Sequence, residues 1–148
     1  MRIIVSDNKI DIGAEINTLK QNADGVGAIA TFIGTVRDKT GDLHSLTLEH
    51  YPNMTEGKLT AIAETAMEKF NLMNITIYHR YGEMLVGEDI VFVGATSPHR
   101  QDCQSAVSFV MDYLKTDAPF WKMETFKDGS TKWVDQKQED LDKKDSWK

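Results

Sequence analysis

The stretch "EDIVFVGATSPHRQDCQSAVSFVMDYLKTDAPFWKMETFKDGSTKWVD", Glu88–Asp135, changes its period twice. It opens on "EDIVFVGATS", a continuous apolar run of the kind a central strand buried on both faces carries. From about Pro98 to Thr116 the spacing turns helical, with Cys103, Ala106, Val107, Val110 and Leu114 on one stripe. Ser97 suits the N-cap of that helix and Pro98 its first position, and Pro119 ends the region. "FWKMETF" and "TKWVD" then flank "KDGS", a turn signal, and read as a final hairpin. Hairpins with segregated helices argue for an α+β chain, not a doubly wound parallel sheet.

Upstream, "MRIIV" reads as a short first strand and "DIGAEINTLKQN" as a short helix. "GVGAIATFIGTVRD" (Gly25–Asp38) is rich in small and β-branched residues and predicts a buried strand. Gly34 within it suggests a bulge or a close backbone approach, just before Arg37. "LHSLTLEHY" alternates as a half-buried strand does, and the intervening "KTGD" suggests a hairpin between the two. In "PNMTEGKLTAIAETAMEKF" the residues Leu59, Ile62, Ala63, Ala66, Met67 and Phe70 form one apolar stripe, the first strong helix. "NITIYHRYG" is a further strand, joined to the central one by "EMLVG". One α+β domain over 1–135, mostly antiparallel with two main helices, is therefore expected. Residues 136–148 form a charged tail, mobile unless a partner orders it.

The 148 residues are enough to bury a substantial core. A formal charge of −6 removes any bulk electrostatic case for nucleic acid, so an anion site has to come from a local basic cluster. The single cysteine, Cys103, fits a reducing compartment and lies on the apolar helix stripe, as a core thiol does. No run reaches transmembrane length and the N-terminus has too short an apolar stretch for a signal peptide. A cytoplasmic protein without membrane contact is expected. His99 and Cys103 have i, i+4 spacing but no further ligand pair, so no metal site is expected.

Basic residues sit at informative places. His99 and Arg100 fall in the first turn of the second long helix, against the helix dipole and beside its free N–H groups. They either hold an anion or project into solvent. Lys115, in the last turn, reads by itself as an ordinary cation at a helix C-terminus. Lys122 interrupts the apolar run Phe120–Met123 and shares a strand face with Phe120 and Glu124. It is either a lysine paired with Glu124 at a sheet rim or an amine in a partly desolvated, anion-holding pocket. Arg37 is a strand-end arginine with the planar fork that suits phosphate. His99 and Lys115 are sixteen positions apart, which on an unbroken helix is about 24 Å. They cannot serve one small ligand within a single chain. Either one is uninvolved, or a symmetric dimer joins one chain's helix start to the other's helix end.

The segments "GAIATFIGTVRD", "LTLEHYPNMTE", "HRYGE", "DIVFVGATSPHR", "MDYLKTDAPFWKMET" and "DGSTKWV" together make the chain resemble the catalytic (large) subunit family of molybdopterin synthase, over about residues 27–134. The resemblance implies a hammerhead-like α+β fold with a C-terminal β-hairpin subdomain. It implies a homodimer at the centre of a heterotetramer, with a small ubiquitin-like sulfur-carrier subunit at each end. Sulfur would pass from that partner's C-terminal thiocarboxylate to cyclic pyranopterin monophosphate in two rounds, forming the dithiolene of molybdopterin. The family's catalytic lysines fall on Lys115 and Lys122. Its substrate-binding positions fall on Thr35, Val36, Arg37, His99, Arg100, Lys115, Lys122, Met123 and Glu124, the His99–Arg100 pair coming from the neighbouring large subunit. No metal or organic cofactor is implied in this chain. One departure is that family members often carry an arginine after the final "W-V-acidic" element, where this chain offers Lys137, a charge without a bidentate fork.

Two other classes use the same basic residues. One is a non-catalytic module that binds a phosphorylated metabolite, and the other is an interaction scaffold whose lysines dock an acidic tail.

Overall fold

In the computed structural model, which describes residues 1–21, 24–134 and 138–147, the central apolar run is a strand, β6 (Asp89–Ser97). Val91 to Ser97 are all buried. β6 lies between β4 (Asn74–Arg80) and β2 (Ala28–Thr35), antiparallel to both, and β1 (Arg2–Ser6) adds to β4 in parallel. A strand apolar on both faces needs cover on both sides. On one side α2 (Met54–Lys69) and α3 (Arg100–Asp117) lay their stripes against Ile75, Ile77, Val91, Val93 and Ala95. On the other, α1 (Ile12–Leu19) buries Leu19 against Tyr78 and Phe92. Asp11 caps α1 by accepting from the Ala14 N–H at 3.0 Å.

A second sheet carries the hairpins: β5 (Gly82–Leu85), β3 (Leu43–His50), β7 (Phe120–Phe126) and β8 (Thr131–Val134), in that order and all antiparallel. The β7–β8 turn is the one the sequence predicts, with Gly129 at φ +89° and Asp128 accepting from the Ser130 N–H at 2.8 Å. The class is α+β and mostly antiparallel, as expected.

Four sequence expectations change. The β2–β3 hairpin does not form, because the two strands lie in different sheets. The β2 register shifts at Gly34, and Val36 then bonds Glu88 and Gly87 (Val36 N–H to the Glu88 carbonyl 2.9 Å, Gly87 N–H to the Val36 carbonyl 2.8 Å), which turns the chain away. β2 is not a buried strand but the edge of its sheet, with Phe32 37% and Ile33 39% exposed. The connector "EMLVG" holds most of β5, which begins one residue earlier at Gly82 and whose four residues are too few to show a period. Finally, within the charged tail, residues Gln138–Asp145 form α4. Lys144 reaches Asp117 at 2.6 Å, and Trp147 packs edge-on against Phe70 and Phe109 while its Nε1–H donates to Asp112 at 2.7 Å.

Candidate functional site

The direction of α3 decides which basic residues can meet. β6 ends at Ser97, beside the start of β2: the Gly27 N–H donates to the Ser97 carbonyl at 3.0 Å. α3 then returns antiparallel to β6 and so runs alongside β2 in the same sense. His99 and Arg100 therefore sit at one end of the molecule, with Gly27. Lys115 sits at the other, the end that also receives the C-termini of β2 and β4. α3 is unbroken from Arg100 to Asp117, so the sixteen positions from His99 to Lys115 make that separation about 24 Å.

At the first end, His99 is the N-cap of α3 (φ −128°, ψ 147°) and Arg100 its first helical residue. The predicted cap, Ser97, is still paired in β6, and its hydroxyl donates to the His99 carbonyl instead of accepting from a helix N–H. No side chain caps the helix, and both basic residues are exposed. The loop is held tightly from behind: a Cβ on Gly27 would lie 2.0 Å from the Pro98 carbonyl oxygen. Arg100 also borders a groove of about 500 Å³ along the free edge of β2, lined by Ala28, Ala30, Phe32, Cys103 and Gln104.

At the second end, Lys115 is exposed in the last turn of α3. The chain turns at Ala118–Pro119, where the Phe120 N–H donates to the Ala118 carbonyl at 2.8 Å, and β7 begins. Lys122 lies between Leu48 and Val134 across the ladder, Met123 between Thr47 and Trp133, and Glu124 between Leu46 and Lys132. Leu48 is 1% exposed while Lys122 is exposed, so the lysine rises from an apolar neighbour toward the surface. Within one chain Lys122 is not in a desolvated pocket; that reading requires cover from another chain. Thr35 and Arg37 are exposed beyond the β2 bulge, and Val36 between them is 3% exposed, packed with Leu43, Leu48 and Met84. The Val36 side chain thus anchors its two neighbours to the second sheet. Lys137 lies outside the described residues.

Beneath this end lies a group that sequence reasoning missed. His79 is buried, with its ring stacked on Phe120 at 3.8 Å between centroids. Its Nδ1 meets the Arg80 carbonyl at 2.9 Å. A carbonyl only accepts, so Nδ1 carries the hydrogen and Nε2 the lone pair. Burial pulls its pKa down to about 4, and the charges of Lys122 and His50 act in the same direction. The available signal was a histidine near the end of the strand "ITIYHR". Arg80, 5% exposed, spends its guanidinium on the Asp89 and Asp7 carbonyls. Among the described residues no group of three or more His, Cys, Asp or Glu side chains could hold a metal ion.

One chain therefore gathers Arg37, Lys115, Lys122, Met123 and Glu124 toward one end and leaves His99 and Arg100 at the other. Exposed amines and guanidinium groups at one end can hold an anion and stabilise negative charge developing on oxygen.

The family model described as MoaE protein matches residues 5–117. A molybdopterin synthase catalytic subunit of Brucella melitensis is 45% identical over 148 residues, 99% of this chain and 91% of that protein. The solved structure of a molybdopterin biosynthesis MoaE protein from Burkholderia ambifaria superposes with a TM-score of 0.85 at 40% identity, covering 99% of this chain and 97% of that one. A chain from a complex of subunits 1 and 2 of the molybdopterin-converting factor of Helicobacter pylori shares the fold, with a TM-score of 0.72 at 18% identity over 93% of this chain and 90% of that one.

Proposed function

The chain belongs to the MoaE protein family, and on that premise we propose that it is the catalytic subunit of a molybdopterin synthase, a sulfurtransferase of molybdenum cofactor biosynthesis. Its sulfur donor is the C-terminal thiocarboxylate of a small ubiquitin-like partner subunit. Its acceptor is cyclic pyranopterin monophosphate, which takes two sulfurs to become the dithiolene. The two-subunit complex from which the Helicobacter neighbour comes supports the partner assignment by analogy.

The observation that carries the reading is the division of basic residues between the ends of α3. Thr35, Arg37, Lys115 and Lys122, with Met123 and Glu124, form the half that receives the thiocarboxylate. His99 and Arg100 of a second copy complete it and, with Arg37, hold the substrate's cyclic phosphate and pterin, aided by the uncapped helix N-terminus. Val36 serves by seating Thr35 and Arg37. The assembly is a homodimer of this chain with one small subunit at each outer end, a heterotetramer in the cytoplasm. The exposed edge of β2 and the groove beside Arg100 supply an apolar face of the kind a second copy covers.

As the thiocarboxylate sulfur bonds to a pterin carbon, a carbon–oxygen bond at that carbon breaks, its oxygen leaving as water or staying on the phosphate. The sulfur's bond to the partner's carbonyl carbon must then break. That exchange passes through a tetrahedral centre whose oxygen is negatively charged. Ammonium groups from Lys115 and Lys122 stabilise that oxygen and steer the anionic tail into place. Water takes up the acyl group, so the partner leaves as an ordinary carboxylate. The sulfur arrives on the partner, and this chain supplies charge and placement.

The test mixes this protein with a thiocarboxylated small subunit and cyclic pyranopterin monophosphate, and looks for the dithiolene pterin by mass. Product from the wild type supports the reading. Substrate binding without product under any condition leaves only a phosphometabolite-binding module. Losses in lysine variants that excess partner fully restores indicate a docking scaffold.

A further inference from the structure

Phe120 starts β7 directly after the Ala118–Pro119 corner, and two histidines close on its ring. His79 stacks on it with planes within 16° and centroids 3.8 Å apart. His50, its partner across the β3–β7 ladder, approaches it at 5.9 Å and Tyr81 at 4.4 Å. His50 is anchored in turn through its Nδ1 to the Thr55 hydroxyl at 3.0 Å. His79 is the next-to-last residue of β4 in the first sheet, and Phe120 the first of β7 in the second. The stack thus ties the two sheets together where the chain passes from the helix of Lys115 to the strand of Lys122. The sulfur chemistry described above makes no use of His79.

We propose that His79 is a positioning residue for the two-lysine site: by stacking on Phe120 it pins the corner between α3 and β7 and so sets how Lys115 and Lys122 approach one another. This rests on the reading of the lysines as the thiocarboxylate-handling pair. Two amines acting on one carbonyl must be placed to a fraction of an ångström. The ladder to β3 holds β7 within its own sheet, while the corner to α3 is shaped by Pro119 and the Phe120–Ala118 backbone bond, and the His79 stack adds a tie from the first sheet at that point. The imidazole suits the task because it is flat, is fixed by the Arg80 carbonyl, and stays uncharged at neutral pH among Arg80, Lys122 and His50. It therefore adds no further positive charge beside the amines.

His79→Ala, His79→Leu and His79→Phe in the full chain test this, with the thiocarboxylated partner and cyclic pterin phosphate. His79→Leu keeps bulk without the flat ring, should His79→Ala not fold. The Ala and Leu variants should lose about tenfold or more in kcat with both KM values within about twofold. His79→Phe, which keeps the stack, should keep most of the rate. A purely structural role would lower the melting temperature but leave the rate per folded molecule intact. Independently of turnover, the methyl resonances of ¹³C-methylated Lys115 and Lys122 should move in the Ala and Leu variants and stay in place in His79→Phe. Unmoved lysine resonances in His79→Leu, or a wild-type kcat per folded molecule, overturn the proposal. A wild type that makes no product overturns the functional reading instead, and the resonances then decide the role of His79 on their own.

Discussion

Burial without an acidic partner makes the neutral imidazole the stable form of His79 and pulls its pKa from 6.5 to about 4. Above pH 6.5 both the folded and the unfolded chain hold this ring uncharged, and its contribution to stability is complete. As pH falls from 6.5 toward 4 the unfolded chain takes a proton that the folded chain refuses, so stability drains away through that window. The drop amounts to roughly 3 kcal/mol and levels off below about 4. Thermal melts between pH 7 and 4 should show this slope in the wild type, and His79→Phe should flatten it. The lysines behave differently. Both are exposed, so Lys115→Ala and Lys122→Ala should leave stability within about 0.5 kcal/mol. Product formation should nevertheless fall about a hundredfold or more, without recovery when the partner is in excess. A melting curve and a saturating-partner assay on the same preparation check both halves of that statement.

Elements are held to one another at a few close backbone approaches, and Gly27 is the tightest. With a Cβ only 2.0 Å from the Pro98 carbonyl, Gly27→Ala forces the β6–α3 junction outward and carries His99 and Arg100 with it. The expected cost is about 2 kcal/mol or more in a urea melt, together with a raised KM for the pterin and a KM for the partner close to wild type. α4 is a second case. Trp147→Ala removes the ring packed on Phe70 and Phe109 and leaves Asp112 without its indole donor. That should cost about 2 kcal/mol and lower the melting temperature by roughly 4–8 °C. The elements with a long period were legible from the chain alone. α2, α3 and β6 each span enough residues for their stripes to be read, and "KDGS" names its own turn. What escaped was non-local. "KTGD" looks like a hairpin turn, yet β2 is recruited by β6 and β3 by β7, a choice made by sheet pairing between distant segments. β5 is too short to carry a pattern, and Ser97 looks like a cap only while its place in the β6–β2 ladder is unknown. His99 and Arg100 could be found because a cation against a helix dipole is odd in sequence, whereas Lys115, favourable where it stands, drew notice only through the resemblance. His79 offered only its place in a strand pattern, because its partner Phe120 is reached only by folding one sheet onto the other.

At the scale of the whole molecule, the length of α3 turns a residue list into an assembly. If Arg100 and Lys115 of one chain serve different sites, each variant homodimer is inactive for a different reason: Arg100→Ala lacks the substrate half in both sites, and Lys115→Ala lacks the thiocarboxylate half in both. A mixed dimer holds one site with both defects and one with neither. With equal amounts and free exchange, half the dimers are mixed and each has one sound site of two. Activity should therefore return to about a quarter of wild type. Mixing Lys115→Ala with Lys122→Ala supplies the control. Those two residues occupy the same half, so every site in every dimer keeps one defect and no activity should return. Exchange can be followed independently by giving one variant a mass label and observing mixed dimers by native mass spectrometry. Mixed dimers without recovery in the first pairing would show that a single chain builds its own site. The basic groups at the far end of α3 would then need another task. Recovery in both pairings would place Lys115 and Lys122 in different sites, against the arrangement that the corner between α3 and β7 supports.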